Sequence, residues 1–286
     1  MQNQTTPHPT APFNPPVKAP FKAHLKSRLN SLWLAALLAS ALPAHAELDA
    51  DSAKKLATFH TSPAAAGTLI YRGSVSALNR SPAEALFTYE RRTEKNTHGA
   101  LAAHLTSDLQ GDVVIVEAAQ SSPTYELQRF DAINKQLGFS GSVVVSANGR
   151  RLDYHLNDNG KVSTASEDIS DPVVSGPQMF GFILKNLGLL KTGKTLPVRM
   201  IVLKDKTTYG FDIRLEKEVN GQATFTVIPS SFLIRMAIAP MRVVYDAPSA
   251  TFVRYEGRVP PMEFVAGKLK DLDARVEYQS IEPTYR

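Results

Sequence analysis

The clearest hydrophobic pattern in the chain has period two. Along Thr208 to Leu215, Tyr209, Phe211, Ile213 and Leu215 alternate with Thr208, Gly210, Asp212 and Arg214, which predicts a strand with one dry and one wet face. Ala223, Phe225 and Val227 repeat the pattern against Gln222, Thr224 and Thr226. Asn220-Gly221 between the two runs supplies the positive φ angles of a hairpin turn. Thr251 to Gly257 and Ala274 to Ser280 predict further strands, with Val276 and Tyr278 inward. In the first half, short β-rich runs cover 68–78, 85–91, 101–106, 113–117, 124–131, 141–147 and 151–156, and Asn148-Gly149 and Asn159-Gly160 are among the separators. Many short strands joined by such turns predict an antiparallel meander.

The pattern breaks at 166–177, where Asp171-Pro172 and Gly176-Pro177 predict a loop. Behind it, Met179, Ile183, Leu187 and Leu190 recur at helical spacing, and Phe180, Phe182, Leu184 and Leu189 widen the stripe. A helix over 178–190 that is apolar almost all round must be buried. The fold class expected is mainly β: a curved antiparallel sheet or half-barrel with one apolar helix packed on its concave face. A closed lipocalin-like barrel is the alternative. Residues 67–286 form this single β-rich domain, and 47–66 a preceding arm or short helix.

The front of the chain changes the picture. Lys26-Ser27-Arg28, an apolar run from Leu32 to Leu42 and the Ala44-x-Ala46 pair have the layout of a secretory signal within 1–46, with cleavage before Glu47. The expected location is the periplasm of a Gram-negative bacterium. The apolar run is about half the roughly 20 residues that a spanning helix needs, so no membrane span is expected after cleavage. Removing Lys18, Lys22, Lys26 and Arg28 reduces the formal charge from +5 to about +1, with 28 basic against 27 acidic residues. Nucleic-acid binding is not expected from so balanced a body. The absence of cysteine excludes disulfides, thiolate metal sites, thiol nucleophiles and a lipidated N-terminus.

Candidate chemistry is sparse. Ser52-x-x-Lys55, Ser146-Ala147-Asn148 and Lys191-Thr192-Gly193 stand in the order used by penicillin-recognising serine enzymes, but none lies in the helical or strand context that chemistry needs. Gly138-Phe139-Ser140-Gly141-Ser142 lacks the helix that follows a nucleophile elbow. His60, His98, His104 and His155 have no partner at metal-pair spacing, so neither a metal nor another cofactor is expected, and no catalytic residue is assigned. Phe182, Phe211, Phe225 and Tyr209 are the candidates for lining an apolar ligand site, with ordinary core packing as the competing role. Ser230 to Met241 is a nearly continuous apolar run with Arg235 in its middle. Arg235 either sits in a short core element, snorkelling or pairing with Asp246 or Glu256, or meets an anionic head group beneath an apolar lid.

The signal, the cysteine-free meander and an apolar helix on a curved sheet together resemble the half-barrel periplasmic carriers of the LolA and LolB kind. The region from Gly176-Pro177 through Arg254-Tyr255-Glu256-Gly257-Arg258 is also similar to exported proteobacterial proteins of unknown function. The carrier resemblance implies an acyl chain or lipoprotein held between sheet and helix, although this chain has a longer second half. The function expected is non-enzymatic binding of an apolar or lipid-like ligand, or of an envelope protein partner. A structural or assembly role in the envelope and a periplasmic hydrolase are the alternatives.

Overall fold

A computed structural model describes residues 67–97 and 99–281. The secretory signal with Ala44, Ala46 and Glu47, the 47–66 arm, Ser52, Lys55, His60 and His98 lie outside the described residues. A first run of antiparallel strands comprises β1 (Thr68–Ala77), β2 (Ala85–Asn96), β3 (Gly99–Ser107), β4 (Val113–Ser121), β5 (Leu127–Asn134), β6 (Phe139–Val145), β7 (Arg151–Asp158) and β8 (Lys161–Asp168). The second run begins with the short β9 (Val173–Val174). It continues through β10 (Leu196–Val202), β11 (Thr207–Val219), β12 (Gln222–Pro229), β13 (Met241–Asp246), β14 (Thr251–Val265) and β15 (Lys268–Ser280).

All fifteen strands described belong to one sheet, in the order β8 down to β1, then β15 down to β9. The two runs are therefore two arms, joined where β1 pairs antiparallel with β15 from Tyr71 opposite Ser280 to Ala77 opposite Ala274. β9 alone pairs in parallel, with β10. The architecture is the open curved sheet expected, mainly β, with helical cover on its concave side.

Local chemistry explains most of the turns. Asn159-Gly160 and Asn220-Gly221 both have positive φ at each residue, the geometry of the primed turns that match strand twist. Ala266-Gly267 adopts the same signs between β14 and β15, with alanine held at φ 49°. β14 extends well beyond the strand expected over Thr251 to Gly257 and runs straight through Pro260-Pro261. The β14–β15 register shifts between Val259 and Met262, so neither proline is asked for a ladder hydrogen bond.

The stretch expected to be a loop at 166–177 is shared between the end of β8, a short connection and β9. The helix expected over 178–190 is two pieces, α1 (Met179–Lys185) and α2 (Leu187–Lys191), separated at Asn186. Asn186 donates its side-chain amide to the Phe182 carbonyl at 2.9 Å, a local bond that competes with helix continuation.

The core explains the curvature. Val198 of β10 packs with Phe211, Ile213, Phe225, Val243 and Phe252 on the concave face of the second arm, beneath Phe182 and Ile183 of α1. Ile201, on the opposite face of β10, packs with Phe130, Val143, Leu152 and Tyr154 of the first arm. β10 thus has apolar partners on both faces, as a strand buried between two layers requires. A third cluster, with Val75, Phe87, Tyr89, Leu272 and Val276, lies at the junction of the arms.

Polar side chains fasten the first arm to the second. The Glu167 carboxylate at the end of β8 accepts from the Thr208 amide at 2.8 Å, the Thr208 hydroxyl at 2.6 Å, Arg199 at 3.0 Å and the Tyr154 hydroxyl at 3.0 Å. Burial and the neighbouring Glu167 charge push the Tyr154 phenol well above its ordinary range.

Candidate functional site

Period-two strands β10 to β13 and the first strands of the other arm present their alternate residues to the segment 175–193, which crosses the concave face. Met179, Phe180, Phe182, Ile183 and Leu190 are buried there. The structure brings Phe182, Phe211 and Phe225 into one cluster, and Tyr209 packs at its border. The Tyr209 hydroxyl donates to Asp205 at 3.0 Å, and burial together with that carboxylate raises its phenol. The aromatic face is filled by the helices.

A second feature of the concave face is polar. Strand register places Tyr71 opposite Arg91, Arg91 opposite His104, and His104 opposite Glu117, so four strands contribute one lateral row. The segment leading into α1 lies over this row. Arg91 Nη1 donates to the Pro177 carbonyl at 2.7 Å, and the guanidinium stands 5.0 Å from the Phe180 ring centroid. The same nitrogen lies 2.5 Å from His104 Nε2, which must accept, so the imidazole is neutral with its proton on Nδ1. Burial first, and then the Arg91 charge, hold the His104 pKa well below 6.5.

Glu117 makes no hydrogen bond or ion pair within the described residues. A Cβ added to Gly176 would stand 3.3 Å from Glu117 Oε2, so the carboxyl occupies the space into which a larger residue at 176 would grow. Glu117 is half-buried and Gly176 is exposed. Burial raises its pKa to about 7. Chemically, this site can exchange a proton near neutral pH. Tyr255 faces the same carboxyl, and its phenol is raised by burial and by the negative charges of Asp273 and Glu117.

Next to the row is a crevice of about 30 Å³ lined by Arg91, Ala100, Ala102, Ala119, Tyr125 and Gln178. Gln178 donates its amide to the Tyr125 carbonyl, while its Oε1 and the Ser175 Oγ are buried without a hydrogen-bond partner among the described residues. The space is of the order of a water or two, too small for an organic ligand. Phe180 completes the contact by stacking on Phe252, with centroids 4.1 Å apart.

The sequence reading missed this row because its members lie on four strands and meet only through register. His104 was visible as a lone histidine; nothing local marked Arg91 or Glu117. Arg235 is corrected in its surroundings. Ser230 to Met241, expected as a core element or a lid, holds the short exposed helix α3 (Phe232–Ala237), in which Phe232, Leu233 and Met236 are 72%, 59% and 66% exposed. Arg235 is exposed as well and donates to the Pro229 carbonyl at 2.6 Å and the Ser230 carbonyl at 3.0 Å, not to Asp246 or Glu256.

No protein-family model matches the chain, and no curated protein matches it. Among solved structures, the chain is similar to the crystal structure of a beta-barrel-like protein of a domain of unknown function, DUF1849, from Brucella abortus. The TM-score is 0.43 at 8% sequence identity, over 75% of this chain and 98% of that one.

Proposed function

We propose that the protein is an exported, non-enzymatic binding protein of the cell envelope. A lipid-like or other apolar ligand lies between the concave face of β10–β14 and the helices α1 and α2, which form its cover. One observation carries this reading: the apolar face is covered by a segment strung between β9 and β10, and lifting that segment breaks no strand pairing. Phe211, Phe225 and Phe252 would then be open to a ligand, with Tyr209 at the border.

Magnitudes limit how the cover opens. Exposing Met179, Phe180, Phe182, Ile183 and Leu190 costs roughly 1.5–3 kcal/mol each, a sum comparable to the whole stability of a domain. The ligand must therefore be apolar enough to replace those side chains as they leave. Native mass spectrometry and lipid extraction of the protein purified from periplasm test the reading. A co-purifying apolar molecule, displaced by the polar Phe225→Asn substitution, is expected; apo protein with no extractable lipid at any loading would sink it.

A second reading, binding of an envelope protein partner, draws on the exposed apolar residues of α3. It would show as a crosslinked protein complex that is lost in the Phe232→Ser, Met236→Ser variant, with no small-molecule ligand.

A further inference from the structure

Alternate turns of an antiparallel meander leave it at the same end. In the second arm Val202 pairs with Thr207, Val227 with Met241 and Val265 with Lys268, so the connections 203–206, 230–240 and 266–267 share one end. The turns 220–221 and 247–250 share the other. Apolar exposure is divided unequally between the two ends. The first carries Phe232, Leu233 and Met236 of α3 and, on the β14–β15 hairpin, Phe264, which is 72% exposed. Among the described residues, the two turns at the other end contribute one such side chain, Val219.

Charge is divided as well. Lys268 and Lys270 stand exposed on the hairpin that carries Phe264, and Arg235 stands exposed on α3. Arg235 donates to two carbonyls, which leave its charge uncompensated. The carboxylates nearby are engaged elsewhere: Glu263, the register partner of Lys270, pairs with Arg80, Asp271 pairs with Arg258, and Asp205 accepts from the Tyr209 hydroxyl. From Gln222 to Tyr245 the chain contains no acidic residue.

We propose that this end of the second arm docks on an anionic phospholipid bilayer: Phe232, Met236 and Phe264 insert among the acyl chains while Arg235, Lys268 and Lys270 meet the lipid phosphates. Exposed apolar side chains set among bases fit the boundary between acyl chains and charged head groups. Phe232 and Phe264 stand on separate connections, with β13 and most of β14 between them in the chain. A fluid bilayer yields to each protrusion, whereas a folded protein must match their spacing. The inference does not depend on the cover at 175–193. It assigns to lipid the α3 residues that the second reading gives to an envelope protein, and the test separates the two.

The test is flotation of the protein purified from periplasm with phosphatidylethanolamine vesicles, made with and without phosphatidylglycerol. Binding to the vesicles that contain phosphatidylglycerol is expected, and raising the salt to about 1 M should weaken it. Each base at an anionic surface strengthens binding roughly fivefold, so Lys268→Gln with Lys270→Gln should lower partitioning by about twentyfold. Phe232→Ser with Phe264→Ser should lower it at least about tenfold. Val219→Ser, at the other end, should leave it unchanged. No flotation with the anionic vesicles would overturn the proposal, and so would a loss in Val219→Ser equal to that in the phenylalanine variant. A protein complex crosslinked through Phe232 and Met236, with no vesicle binding, would overturn it in favour of the protein partner. If the phenylalanine variant fails to fold, hydrogen exchange of the wild type decides: slowing by vesicles confined to 231–238 and 263–269 supports the proposal, and exchange there unchanged by vesicles overturns it. Flotation by a protein that yields no extractable lipid would sink the carrier reading alone.

Discussion

Gln136 and Met262, on opposite arms of the sheet, exchange two hydrogen bonds: the Gln136 amide donates to the Met262 carbonyl at 3.0 Å, and the Met262 N–H donates to Gln136 Oε1 at 2.8 Å. A side chain here substitutes for a strand residue, at the point where Pro260-Pro261 has shifted the β14 ladder. Gln136→Ala leaves both backbone groups of Met262 without that partner. The expected loss is about 1–2 kcal/mol, or a fall in Tm of roughly 3–6 °C. Thermal unfolding checks it, and an unchanged Tm would mean that water replaces the amide at no cost.

Glu167 gathers donors from β7, β10 and β11. Glu167→Ala strands the partly buried Arg199 and the Tyr154 hydroxyl, with an expected cost of about 2–4 kcal/mol in urea unfolding. The paired variant Glu167→Met, Arg199→Met should recover a large part of it, because no lone charge is left behind. A double variant as unstable as the single one would show that the loss comes from packing rather than from charge.

For Arg235, exposure sets the expectation. Arg235→Met removes two bonds to carbonyls at the edge of an exposed helix and should change stability by less than about 1 kcal/mol. A larger loss in denaturant unfolding would restore a core role for this side chain.

The sequence made part of this architecture legible. Phe211, Ile213, Phe225 and Val227 alternate cleanly because one face of their strands meets the helices and the other meets water. β8 escaped notice since its Ser163, Thr164, Ala165 and Ser166 carry no hydrophobic alternation. β14 outruns its expected end at Gly257 because Pro260-Pro261 falls where the ladder shifts register and asks for no N–H. The apolar run around Arg235 reads as a core element or a lid, yet Phe232 and Met236 are exposed on a short surface helix. Nothing in the order of residues announces that Arg91, His104 and Glu117 share a row, because that depends on three hairpin registers at once. The helix over 178–190 was legible because its apolar residues exceed any single face.

The junction of β1 with β15 has one more consequence. Joining the end of β15 to the start of β1 and opening the chain at 169–172 would convert the strand order into an unbroken sequence from β9 through β15 and on from β1 to β8. Every strand pairing would then be between chain neighbours, β9–β10 alone being parallel, so the fold is a circular permutation of a near-simple meander. The β1–β15 ladder is the one contact in the sheet that must be closed over a long loop, and entropy makes it the slowest to form. A permuted chain would assemble by successive hairpins and should refold faster than the natural order while reaching the same rolled sheet.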